Sequence, residues 1–327
     1  MALHAVENVE EAFGVTREFL TPVDVRRWLK LALVVFFVGG GVSFPTAQFN
    51  TSTPPGDVSN GDVPFSLPVD VVTLVVALVA VGLLLGGLFA LIGAIFEFVL
   101  IESLRTGEVS LRRHWRRRWR QGLRLFGFRI AIGLPMLALF AGWFALLVVP
   151  ILTGRDPTIP FTAFLVGIPV VFLVSVLYAL VSGLTTVFVV PLMIRSDSGV
   201  LAAWRRLWGS ITSAWKQYLA YVVVSFLLTV AAGIVASIAV GIVAIVLLIP
   251  VLVVAAITHV TVSVSSTLGI VILVALGLLF GLSMLVVWTL AQVPVVTYLR
   301  YYALLVLGDI EESFDVLSDR QPSGGEP

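Results

Sequence analysis

The chain has 327 residues, of which 59% are hydrophobic and only 12% charged, and its formal net charge is +1. A soluble domain carries about 25% charged residues, so the composition excludes an ordinary soluble domain and points to the bilayer, while the near-neutral total singles out no partner. With no cysteine in the chain, disulfides, thiol catalysis and cysteine-ligated metal are excluded.

A membrane-crossing helix needs about 20 mostly apolar residues. Six segments satisfy this, at 28–44, 70–101, 125–152, 161–194, 218–249 and 268–298. The expected fold is therefore an all-α, polytopic helical membrane protein: six transmembrane helices as three hairpins, with cytoplasmic interfacial amphipathic helices. The first 30 residues hold five acids and four basic residues, unlike the leader of a signal peptide. Arg26-Arg27-Trp28-Leu29-Lys30 reads as a juxtamembrane cluster rather than an export signal. Thr21-Pro22 reads as the cap and first helical residue of span one.

The stretch 45–68, rich in Pro, Ser, Thr, Gly and Asn, reads as an outer loop and contains the sequon Asn50-Thr51-Ser52. The fifth apolar stretch, 218–257, is too long for one crossing. Pro250 is expected to end the span, leaving 251–266 as a re-entrant or interfacial piece; the alternative is a second crossing, which makes seven spans and puts the C-terminus outside. The acidic stretch 309–327 is expected to be a disordered tail. With six spans, 1–30, 101–129, 195–217 and 299–327 lie on one side and hold 19 of the 20 Lys and Arg residues. Only Arg155 falls on the other side, so the positive-inside rule puts both ends in the cytoplasm and the protein in the cell membrane.

Two cytoplasmic stretches carry the clearest pattern. Between spans two and three, Leu111, Trp115, Trp119, Gly122 and Phe126 share one helical face. Arg112, Arg113, Arg116, Arg117, Arg120 and Arg124 occupy the rest, and Arg118 flanks the apolar stripe. A second copy before span five puts Leu201, Trp204, Trp208, Ile211 and Trp215 on one face, opposite Arg205 and Arg206. The copies share W-R-R-x-W, and Phe98-Val99 to Arg105 recurs as Phe188-Val189 to Arg195 at an offset of 90 residues. This register indicates a duplicated helix-hairpin unit. A basic helix with tryptophans suits the headgroup layer. The expected partners are anionic lipids, contacted by Arg112, Arg113, Trp115, Arg116, Arg117, Trp119, Arg120, Arg124, Trp204, Arg205, Arg206 and Trp208. A cytoplasmic protein could occupy the same face. Nucleic acid is not expected, because the arginines abut a span and no binding motif accompanies them. Plain anchoring by the positive-inside rule is the simpler reading of both helices.

Other chemistry is sparse. No zinc spacing, phosphate loop or nucleophile–base pair occurs, and neither cofactor nor metal is expected. Glu97 and Glu102 near the end of span two, and Arg129 at the start of span three, read as groups snorkelling to headgroups, with a Glu97–Arg129 pair as the alternative. His259 reads as interfacial, and His4 and His114 as unrelated. Gly82/Gly86 and Gly277/Gly281 form G-x-x-x-G motifs read as packing within the chain.

Ala5-Val6-Glu7 through Arg26-Arg27-Trp28-Leu29-Lys30-Leu31 resembles the start of a family of haloarchaeal multi-span membrane proteins of unknown function. Arg300-Tyr301-Tyr302-Ala303-Leu304-Leu305-Val306-Leu307-Gly308-Asp309 resembles that family's ending. The 201–218 stretch is similar to the membrane domain attached to some glycerophosphodiester phosphodiesterases. The resemblance implies a fold and no catalytic site, because the phosphodiester chemistry belongs to a separate barrel whose paired acids and histidines this chain lacks. The resulting expectation is a non-enzymatic membrane scaffold or lipid-interacting module. A permease lined by Ser175, Tyr178, Ser182 and Gln292 is the alternative. Nothing in the sequence sets the oligomeric state.

Overall fold

The computed structural model describes residues 4–21, 23–39, 69–154, 158–262 and 266–317, and every regular element among them is helical. The α-helices are α1 (His4–Leu20), α2 (Val25–Val38), α3 (Val69–Thr106), α4 (Leu111–Leu152), α5 (Thr158–Leu184), α6 (Val190–Ser196), α7 (Val200–Ser213), α8 (Trp215–Thr261) and α9 (Thr267–Ile310). A π-helical turn, Thr185–Val189, joins α5 to α6, and a 3₁₀ turn, Glu312–Phe314, follows α9. The expected loop 45–68, Arg155 and most of the expected tail lie outside the described residues.

Five helices are long and apolar enough to cross a membrane, not the expected six: Val76–Thr106, Leu111–Pro150, Pro160–Ser196, Trp215–Thr261 and Thr267–Ile310. The first expected span falls on α2, whose 14 residues reach only about 21 Å. Its start is also corrected. Asp24, not Thr21, is the cap, accepting the Arg26 N–H at 3.0 Å, while the Thr21 hydroxyl bonds back to the Arg17 carbonyl. Pro250 does not end the fifth span. α8 runs unbroken for 47 residues, about 70 Å. A proline removes one backbone bond, and membrane helices absorb that loss when the rest of the ladder has no water to compete for it.

Contacts order the long helices as an open arc, α5–α4–α3–α2–α9–α8, with α1 laid against the ends of α9 and α8. The buried core gathers where one set of helix ends meets, around Leu31, Phe98, Ile101, Leu104, Leu125, Phe188, Met193, Tyr301 and Tyr302. Towards the other end the helices expose apolar side chains such as Leu84, Phe144, Phe172 and Leu278. Those faces need an apolar solvent, since a monomeric soluble protein exposes no patch so large.

Glycine sets the packing where helices approach closely. A Cβ on Gly122 would sit 2.6 Å from the Ile95 side chain, and one on Gly93 would sit 2.7 Å from the Phe37 carbonyl oxygen. The G-x-x-x-G pairs do not serve this purpose. A Cβ on Gly82, Gly86, Gly277 or Gly281 would meet nothing within 4 Å, so the expectation that they pack within the chain is corrected.

Candidate functional site: a basic cleft over an aromatic floor

The turn between α3 and α4 builds the site. Gly107 adopts φ +70°, a conformation open mainly to glycine, and reverses the chain. The Ser110 hydroxyl meets His114 Nε2 at 3.2 Å, and the Ser103 hydroxyl meets His114 Nδ1 at 3.4 Å. With both ring nitrogens engaged and only 2% of its surface exposed, His114 is a structural pin rather than a metal ligand. Among the described residues no group of acids and histidines could hold a metal ion.

α4 buries His114, Arg118, Gln121 and Leu125, one face of a helix at successive turns. Arg118 Nη2 meets Glu102 Oε2 at 3.0 Å, and its Nη1 donates to Gln121 Oε1 at 3.1 Å. Gln121 donates in turn to Asp197 Oδ1 at 2.7 Å and to the Met193 carbonyl at 3.3 Å. Asp197 ends α6 in the left-handed conformation, φ 46°. Arg118, expected beside an apolar stripe, is thus the side chain that locks α4 to α3 and α6. A guanidinium whose two terminal nitrogens are paired can be buried where a lone one cannot.

The apolar stripe itself is divided. Trp115 packs edge-on against Phe96 with ring centroids 5.3 Å apart, whereas Trp119 is 45% exposed. The basic stretch is also not a separate helix lying along the membrane surface. It is the first third of α4 and continues directly into the apolar remainder of that helix. Nothing interrupts the helix there, because its prolines, Pro135 and Pro150, come later.

The second copy is a separate helix. α7 buries Val200, Ala203, Leu207 and Ser210 and turns Leu201 and Trp208 outward, with Arg205 and Arg206 exposed. Trp204 Nε1 donates to the Thr185 hydroxyl at 3.0 Å. In both copies the first tryptophan is tied to the bundle and the second faces out. The repeat's Phe98-Val99 and Phe188-Val189 are all fully buried.

An open cleft of about 1040 Å³ lies where α3 meets the start of α4, lined by Phe96, Leu111, Arg112, Arg113, Trp115, Arg116 and Arg117. Its floor is aromatic and aliphatic, and its rim is four guanidiniums. Arg113 meets Glu108 at 3.4 Å with both side chains well exposed, a pair worth little in water. Arg112, Arg116 and Arg117 make no ion pair among the described residues. Arg120 lies over the Trp119 ring at 5.6 Å, and Arg124 is exposed. The candidate contacts of α4 therefore come together in the cleft as far as Arg117. Trp119, Arg120, Arg124 and the α7 group lie elsewhere on the surface.

A second polar cluster was only partly legible in the sequence. Glu97 Oε1 accepts Arg129 Nη2 at 2.6 Å, and Arg300 Nη2 stands 3.9 Å from the same oxygen. Arg129 also donates to the Thr186 hydroxyl at 2.7 Å, and Arg300 Nη1 to the Thr186 carbonyl at 2.8 Å. The pairing overturns the snorkelling reading of Glu97 and Arg129. π-helical turns tend to sit at functional places because they free backbone groups. Here the turn offers Thr186 to two arginines from different helices. Ser175, by contrast, bonds its own helix at the Val171 carbonyl. Tyr178 lies against Gly133 of α4, while Gln292 belongs to α9, so the structure does not gather the expected permease lining into the cleft.

Residues 3–317 match a family of unknown function (DUF7544). The chain belongs to that family. No curated protein and no solved structure matches it. The DUF7544 match covers nearly the whole chain. It carries neither a haloarchaeal source nor a tie to the phosphodiesterases.

Proposed function

We propose that this DUF7544 chain is a non-catalytic integral membrane protein whose packed end faces the cytoplasm and binds anionic lipid headgroups. The observation carrying this is the cleft, in which an apolar floor of Phe96, Leu111 and Trp115 adjoins four arginines, of which only Arg113 meets an acid among the described residues. Apolar surface favours the acyl boundary, and each nearby basic residue adds about 1 kcal/mol of attraction to an anionic leaflet. The exposed Leu201 and Trp208 of α7 fit the same interface.

Parity supports six crossings. Asn8 Nδ2 donates to Asp309 Oδ2 at 2.7 Å, and the Tyr298 hydroxyl donates to the Val9 carbonyl at 3.4 Å, so the first and last helices meet at the packed helix ends. Five crossings would leave them on opposite sides. The sixth falls at α2 (Val25–Val38). The basic residues cluster at the end where α1 and α9 meet, which favours a cytoplasmic setting for that end.

The test is lipid binding by the full-length protein in nonionic detergent, followed by native mass spectrometry. Phosphatidylglycerol should be retained over phosphatidylcholine. The triple variant Arg112→Gln, Arg116→Gln, Arg117→Gln should lose that preference without unfolding. Equal retention of both lipids by the unaltered protein would refute the proposal.

A further inference from the structure

We infer that the cleft selects a phosphomonoester headgroup, as in phosphatidate, over phosphodiester lipids of the same charge density. The inference rests on the lipid-binding reading and narrows its ligand class. The first observation is the register of the rim. Arg112 and Arg116 are four residues apart on α4, as are Arg113 and Arg117, so neighbouring turns place guanidiniums side by side. Like charges in that register repel, and the sole acid meeting the rim among the described residues is Glu108, on Arg113. Arg118 does not share in this, because Glu102 and Gln121 hold it in the core. The rim is therefore a two-by-two array of cations awaiting a compact, multiply charged anion.

The second observation is the composition of that array. A guanidinium binds phosphate through two parallel N–H bonds, which an ammonium cannot. A phosphodiester offers two terminal oxygens and one charge, enough for one such fork. A phosphomonoester offers three terminal oxygens and up to two charges, enough for guanidiniums from successive turns at once.

The third is the path beside the rim, which commits the occupant to a lipid rather than free phosphate. An aromatic ladder runs from the lipid-exposed part of α3 into the cleft. Phe36 meets Phe89 at 5.6 Å between ring centroids, Phe37 meets Phe96 at 5.3 Å, and Phe96 meets Trp115 at 5.3 Å. Phe89 and Phe96 are two turns apart on α3, about 10 Å. An acyl chain lying along these rings stays in apolar contact while its headgroup reaches Arg112 and Arg116.

The experiment uses the full chain reconstituted in phosphatidylcholine vesicles, with phosphatidate or phosphatidylglycerol added at matched charge density. Binding is read by quenching of tryptophan fluorescence by brominated acyl chains. Phosphatidate should bind about tenfold more tightly, equivalent to about 1.4 kcal/mol. The Arg112→Gln, Arg116→Gln variant should bring the two lipids level while its melting temperature stays unchanged. Equal affinity for the two lipids in the unaltered protein would overturn this inference and leave anionic-lipid binding standing. No preference for either over phosphatidylcholine would overturn both. Competition by sn-glycerol 3-phosphate at the same concentration as phosphatidate would show that the aromatic path is irrelevant and would overturn the lipid form.

Discussion

Glu102 and Arg118 show what one residue decides here. Their side chains are 4% and 7% exposed, so removing one leaves the other charged and buried. Glu102→Ala should destabilise the fold by about 3–5 kcal/mol, read as a fall in melting temperature in detergent. The double variant Glu102→Leu, Arg118→Met should recover much of that loss, because an apolar pair of similar size needs no solvation. If the double variant were as unstable as the single one, the pair would be contributing through geometry rather than charge balance. Gly122 tests packing in the same way. Gly122→Ala would push a methyl into Ile95 at 2.6 Å and should cost about 1–3 kcal/mol. The methyl would also meet the Ile95 Cα at 2.8 Å, so trimming the Ile95 side chain should not relieve it fully. Gly82→Ala, with open space around it, should be nearly silent in the same melting assay.

At the scale of elements, the π-helical turn is the feature with the widest reach. It presents Thr186 to Arg129 of α4 and Arg300 of α9, and Thr185 to Trp204 of α7. One residue fewer would turn it into ordinary α-helix and rotate everything after it by about 100°. Deleting Val187 should therefore detach α6 and α7 from the core. Limited proteolysis should then cleave between 196 and 215 faster than in the unaltered chain. Unchanged protection would mean that α6 and α7 are held by Gln121 and Asp197 without the turn. The unbroken α4 has a consequence of its own. Its basic stretch is held in register by Glu102 and Asp197, so the cleft is formed before any ligand arrives.

For the whole molecule, the arrangement of helix ends makes a topological prediction that needs no functional assumption. The chain has no native cysteine, so single-cysteine variants label cleanly. Arg120→Cys and Ser313→Cys, at the packed end, should react with an impermeant maleimide only after the membrane is opened. Thr153→Cys and Thr261→Cys, at the far ends of α4 and α8, should react in intact cells. Reaction of Ser313→Cys and Thr153→Cys from the same side would break the parity argument and with it the six-crossing reading.

The sequence by itself determined that this is a helical chain suited to a bilayer, because runs of apolar residues longer than a span leave no other solvent for them. It also determined where the charge lies and that W-R-R-x-W and Phe-Val each occur twice, about 90 residues apart. Only the tertiary structure decided which arginines are structural. Arg118 and Arg116 stand two positions apart in one cationic run, and nothing local distinguishes them. What separates them is Glu102, 16 residues away in the chain and 3.0 Å away in space. The same holds for Arg300, whose partners on α3 and the π-helical turn are brought together only by packing. Helix ends proved illegible for a related reason. Pro250, expected to end a span, sits inside α8, and the basic stretch expected to lie apart is continuous with α4. Local signals weigh a helix against water, whereas these helices are judged by a surrounding in which every broken backbone bond must find a new partner.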